Sequence, residues 1–114
     1  ENADGSDFLK LAYQSLRALL VPSLPRKLVR YIYELKAMTY SGECPQTFEQ
    51  FSDWNLNPST EYALQYVVAA SVEKLYTFLL TEEVFAEFAR VVTWLRKHYV
   101  VHRFKSLEIL ETCL

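Results

Sequence analysis

Apolar and polar positions alternate with a period close to that of an α-helix along most of the chain. Phe8, Leu9, Ala12, Leu16, Leu19 and Leu20 return at helical spacing, with Lys10, Gln14 and Arg17 on the other side and Asp7 as N-cap. Pro22 and Pro25 end this predicted helix and pre-set the next, because proline lacks the interior donor but fits a first turn. A second helix is predicted from about Pro25 to Tyr40. Leu28, Ile32, Leu35 and Thr39 line one face of it, Arg26, Arg30 and Tyr33 lie on the other, and Gly42 supplies the stop.

Residues 43–57 interrupt the rhythm with Pro45, Asp53, Asn55 and Asn57, although Phe48, Phe51 and Trp54 recur every three residues, which predicts a short helix inside a connection. Asn57 before Pro58 is a cap and first-turn pair for a further helix carrying Tyr62, Tyr66, Val67 and Ala70, interrupted at Ser71. Val72, Leu75, Phe78 and Leu79 suggest a short helical run. Thr81 then caps a long helix, about Glu82 to Val100, whose Val84, Phe88, Val91, Val92, Leu95 and Tyr99 form a narrow stripe. Trp94 falls outside that stripe near Arg90 and Lys97; it either packs on a neighbouring helix or stands exposed among cations. A terminal helix, roughly Phe104 to Glu111, completes an all-α single compact helical bundle of about five to six helices over 1–114.

Composition supports this reading. Only two glycines occur in 114 residues, too few for hairpin-rich or phosphate-loop folds, and 51% apolar residues suffice for one core. Charged residues at 23% and a net charge of −2 argue against disorder. Neither a membrane span nor a signal-peptide pattern is seen, and the start at Glu1 fits a processed chain or a fragment.

The charge layout is more informative than its sum. No acid lies between Asp7 and Glu34, a stretch with Lys10, Arg17, Arg26, Lys27 and Arg30. None lies between Glu87 and Glu108, which holds Arg90, Arg96, Lys97, Arg103 and Lys105. Nine acids occupy Glu34 to Glu87, so two positive ends flank a negative centre. Such segments are either solvated helix faces with compensating pairs or anion-binding surfaces.

Bond-making chemistry finds little support. His98 and His102 are one turn apart, but neither the glutamate of the metalloprotease motif nor a third ligand accompanies them. Cys44 and Cys113 cannot form a four-thiolate site, and reduced thiols are expected. Neither an enzyme nor a cofactor is expected.

Three stretches, taken in order, resemble one family. Tyr33, Glu34, Leu35, Lys36, Ala37 and Met38 precede Tyr40, Ser41, Gly42 and Pro45. Ala63 to Val67 lead, after Leu75, into Leu80, Thr81, Glu82 and Glu83. His98 and Tyr99 precede Phe104, Lys105, Ser106, Leu107, Glu108, Ile109 and Leu110. Over about residues 7–112 the chain is similar to the C-terminal helical domain of the bacterial recombination mediator RecO. The resemblance implies a preceding OB-fold outside this chain. It also implies a cytoplasmic, nucleoid-associated role without catalysis: binding the tail of single-strand-binding protein, acting with RecR, loading recombinase and annealing single-stranded DNA. Many members carry a four-cysteine zinc module after the Gly-x-x-Pro turn; here Cys44 stands alone, so no zinc module is expected.

Charge and helical geometry then give the candidate residues. Arg26, Arg30 and Tyr33 would hold the acidic, Phe-ending tail, and Trp94, Arg96, Lys97, Arg103 and Lys105 would meet nucleic acid. The alternative is a helical small-ligand or regulatory domain, since 17 aromatic residues can line a pocket as well as fill a core.

Overall fold

Local capping chemistry sets several of the helix boundaries. The structure, a computed structural model, describes residues 5–42 and 48–99, the last through its backbone alone. It contains α1 (Gly5–Leu19), α2 (Arg26–Tyr40), α3 (Pro58–Ala69) and α4 (Glu82–Tyr99), with 3₁₀ helices at Glu49–Trp54 and Val72–Lys74. No strand occurs among the described residues, so the fold is the all-α bundle that the periodicity predicts. The helix predicted after Phe104 lies outside the described residues.

The Asn57 side chain accepts a hydrogen bond from the Ser59 N–H at 2.9 Å, with Pro58 in the first turn. Thr81 Oγ1 accepts from the Val84 N–H at 3.3 Å. Gly42 takes a φ of 79°, the left-handed conformation that ends a helix at least cost when no Cβ is present. Two expectations shift. Helix α1 begins at Gly5, which moves Asp7 from the cap into the first turn, where its carboxylate still faces the positive helix end. The run expected over 72–79 stops at Lys74. The Lys74 carbonyl accepts from Tyr66 Oη at 3.0 Å and Thr77 Oγ1 at 2.9 Å, so side-chain hydroxyls take the acceptor that another turn of helix would need.

Helix α2 is the hub, packed against α1, α3 and α4. Every residue from Ile32 to Met38 is buried, including Glu34 and Lys36. A helix enclosed on all sides belongs to the core, so the two-faced reading of α2 fails at Tyr33, which is fully buried and unavailable as a surface ring. Lys36 is accommodated because its Nζ donates to the carbonyls of Val68 at 3.0 Å and Ala70 at 2.6 Å, capping the negative end of α3.

Two further faces differ from expectation. On α3 the inward residues are Thr60, Ala63, Leu64 and Val67, leaving Tyr62 outside. On α1 they are Leu11, Ser15 and Ala18, whereas Leu9 and Leu16, and Leu20 just after the helix, are exposed. Helix α1 carries apolar residues around most of its circumference, so periodicity alone does not select the packed side. Tertiary contact does: Ser15 Oγ pairs with Tyr76 Oη, and Ala18 lies beside Val72 and Tyr76. On α4, by contrast, Val84, Phe88, Val91, Val92 and Leu95 are buried as the stripe predicts; each is worth about 1.5–3 kcal/mol relative to full exposure.

Candidate binding groove

A helical face recurs every three to four residues, so Arg90, Trp94, Lys97 and His98 project from one side of α4. Together with Ala89 and Thr93 of the same helix, Tyr31 of α2 and Trp54 at the end of the first 3₁₀ helix, they line an open groove of about 450 Å³. Phe51, buried beneath it, fixes both tryptophans edge to face, with ring centroids 4.8 Å from Trp54 and 5.3 Å from Trp94. The two indoles stand perpendicular with centroids 6.5 Å apart. Trp94 thus satisfies both readings of its sequence position: it packs on a neighbouring element and also lines a surface among cations.

Arg90 and His98 are placed by the same rings. The Arg90 guanidinium carbon lies 4.9 Å from the Trp54 centroid, within cation–π range. The His98 ring stacks on Trp94 at 4.0 Å, and its Nδ1 is 2.9 Å from the Trp94 carbonyl. A carbonyl only accepts, so Nδ1 carries the proton of that bond and Nε2 is the nitrogen left for a ligand. Glu87, one turn before Arg90, is engaged elsewhere: its Oε1 accepts from Thr60 Oγ1 at 2.6 Å and the Asn57 N–H at 2.8 Å. Those bonds, helped by the Arg90 charge, hold its carboxyl below the usual carboxylate range despite an opposing desolvation effect.

The remaining candidates scatter. Arg26 is exposed at the start of α2. Arg30 and Arg96 converge on buried Glu34, with Arg30 Nε at 3.0 Å and Arg96 NH1 at 2.9 Å from the same Oε2. The structure therefore does not bring Arg26, Arg30 and Tyr33 together as a tail site. It brings Trp94 and Lys97 together, adds Trp54 and Arg90, and assigns Arg96 to an ion pair. Arg103 and Lys105 lie outside the described residues, as do Cys44, Cys113 and His102. The signal that could have identified Trp54 was the three-residue spacing of Phe48, Phe51 and Trp54, which in a 3₁₀ helix stacks them along one face and ties Trp54 to Phe51.

Among the described residues, no group of three or more His, Cys, Asp or Glu side chains is placed to hold a metal ion. No helix there is long and apolar enough to cross a membrane. Comparison with known proteins found no matching family model, curated protein or solved structure.

Proposed function

We propose that this helical domain is a non-catalytic DNA repair and recombination mediator module, one that binds single-strand-binding protein tails and supports recombinase loading and strand annealing. The groove carries this reading: two tryptophan walls stand beside Arg90 and Lys97. An acidic chain end with a terminal Phe needs an apolar slot for its ring and cations for its carboxylates, and both are present within a few side chains. The same rings suit stacking of unpaired bases, with Lys97 near the phosphates. RecR and the OB-fold implied by the RecO resemblance complete the proposed setting, in the bacterial cytoplasm.

Titration of the chain with a fluorescent acidic peptide ending in Phe tests the proposal. Binding should weaken with salt, with removal of the terminal Phe, and with Arg90→Glu or Lys97→Glu. Absence of binding at low salt to the folded protein overturns it.

A second reading rests on a separate cavity. Tyr62, Tyr66, Phe78, Leu79 and Leu80 bound a largely apolar hollow of about 460 Å³ suited to a small organic ligand. A solvatochromic apolar dye should brighten there and lose its signal in Tyr66→Ala if that hollow is a ligand site.

A further inference from the structure

Helix α1 is apolar on the side facing away from the core. Leu9, Tyr13 and Leu16 of α1 and Leu20, in the turn that continues it, are 74%, 60%, 39% and 82% exposed, and their spacing of four, three and four residues places them in one stripe opposite Leu11, Ser15 and Ala18. In heptad terms they occupy successive d, a, d and a positions, the pattern by which one helix recruits another. The helix is about 22 Å long at 1.5 Å per residue, enough to seat roughly two heptads. Single exposed leucines need no explanation, but a continuous row of this kind on one helix does.

Charge identifies what covers it. Lys10 and Arg17 both fall at the e position, along one edge of the stripe, and the Arg17 guanidinium lies 5.7 Å from the Tyr13 ring centroid. Neither forms an ion pair among the described residues. Arg17 and Glu73 both line the neighbouring hollow between α1 and the second 3₁₀ helix, without an ion pair between them. The g positions hold Gly5, Ala12 and Leu19, none charged. In an antiparallel pair of two copies, e faces e, so Lys10 and Arg17 would meet their own kind; in a parallel pair, e faces the uncharged g positions. Neither self-pairing arrangement gains from these cations. A lipid surface is a poorer fit, because interfacial helices turn their opposite face to water, whereas the opposite face of α1 is packed on the core.

We propose that the α1 stripe docks an amphipathic helix of a partner protein, with leucine-like residues on its contact face and carboxylates along the edge meeting Lys10 and Arg17. This surface is separate from the Trp54–Trp94 groove: α1 packs on α2 and the second 3₁₀ helix, whereas α4 packs on α2 and α3.

Two labelled synthetic helices test the proposal, both with Leu at a and d, one with Glu and the other with Lys at e and g. The Glu peptide should bind the chain about tenfold more tightly at low salt, a gap that closes as salt rises. The double variant Lys10→Glu, Arg17→Glu should reverse the order, and Leu9→Ser with Leu16→Ser should abolish binding of both peptides without lowering the thermal midpoint. Equal affinity for the two peptides, or binding of neither, overturns the proposal. So does dimerisation in sedimentation equilibrium that Leu16→Ser abolishes, which assigns the stripe to a second copy. Binding to phosphatidylglycerol vesicles lost in the same variant assigns it to lipid and overturns the proposal too.

Discussion

Arg96 NH1 lies 2.9 Å from Oε2 of Glu34, a carboxylate 62 positions earlier in the chain that also receives Arg30. Glu34 is 1% exposed while the two arginine side chains are 38% and 39% exposed, so one buried acid joins α4 to α2. Removing one partner of a fully buried pair costs about 3–5 kcal/mol, and arginines that can turn toward water reduce the loss, so Glu34→Gln should cost about 1–3 kcal/mol. Urea denaturation of Glu34→Gln, Arg30→Ala, Arg96→Ala and the double arginine variant provides the check. The two arginine effects should not add, since both act through one oxygen.

Lys36 gives a second stability prediction. Its ammonium donates to two carbonyls at the end of α3, and Lys36→Met keeps the packing while removing those donors. A lost hydrogen bond to a charged group costs about 1.5–3 kcal/mol. Amide exchange should quicken most in the last turn of α3 if the loss is local to that helix end.

Phe51 supports both tryptophans, which are the only two in the chain. Phe51→Leu should cost about 1–2 kcal/mol through lost edge-to-face contacts. Tryptophan emission of the folded variant should shift to longer wavelength as both indoles loosen. An unchanged spectrum would show that the groove walls do not depend on Phe51.

Two pH effects follow from buried or bonded groups. Glu87 is held below its ordinary value of 4.5 by its bonds to Thr60 and Asn57. Its contribution to stability is therefore present above pH 4.5 and lost as the pH falls through the lower folded-state value. Thr60→Val should flatten the acid limb. Tyr76 behaves in the opposite sense: burial pushes its phenol above the ordinary 10.0, the Ser15 bond opposing that rise only in part. The folded state keeps the proton that the unfolded state releases, so stability falls as the pH climbs above 10. Thermal midpoints of Tyr76→Phe against wild type between pH 8 and 11 give the comparison.

The sequence is most readable where one local rule acts alone. The α4 stripe, the Asn57–Pro58 start, the Thr81 cap and the Gly42 stop follow from periodicity and capping. It is least readable where distant residues choose between local options. Helix α1 offers several apolar faces, and the choice is made by Ser15 meeting Tyr76, 61 positions away. Tyr33 has a polar tip and sits between cationic neighbours in sequence, yet α2 is enclosed on every side there. Arg30 and Arg96 stand in separate acid-free runs, and a one-dimensional charge count misses that Glu34 lies between them in space. The groove was half visible: Arg90, Trp94 and Lys97 follow from helical spacing along α4, whereas Trp54 joins them only through tertiary packing on Phe51.

With every position from Ile32 to Met38 enclosed, α2 acts as an axle on which the outer helices are mounted. A bulky or charged replacement along that axle displaces α1 on one side and α4 on the other in a single event. Variants that lose binding at either proposed surface should therefore divide into two kinds: rim changes that silence one surface, and axle changes that silence both and lower the yield of folded protein.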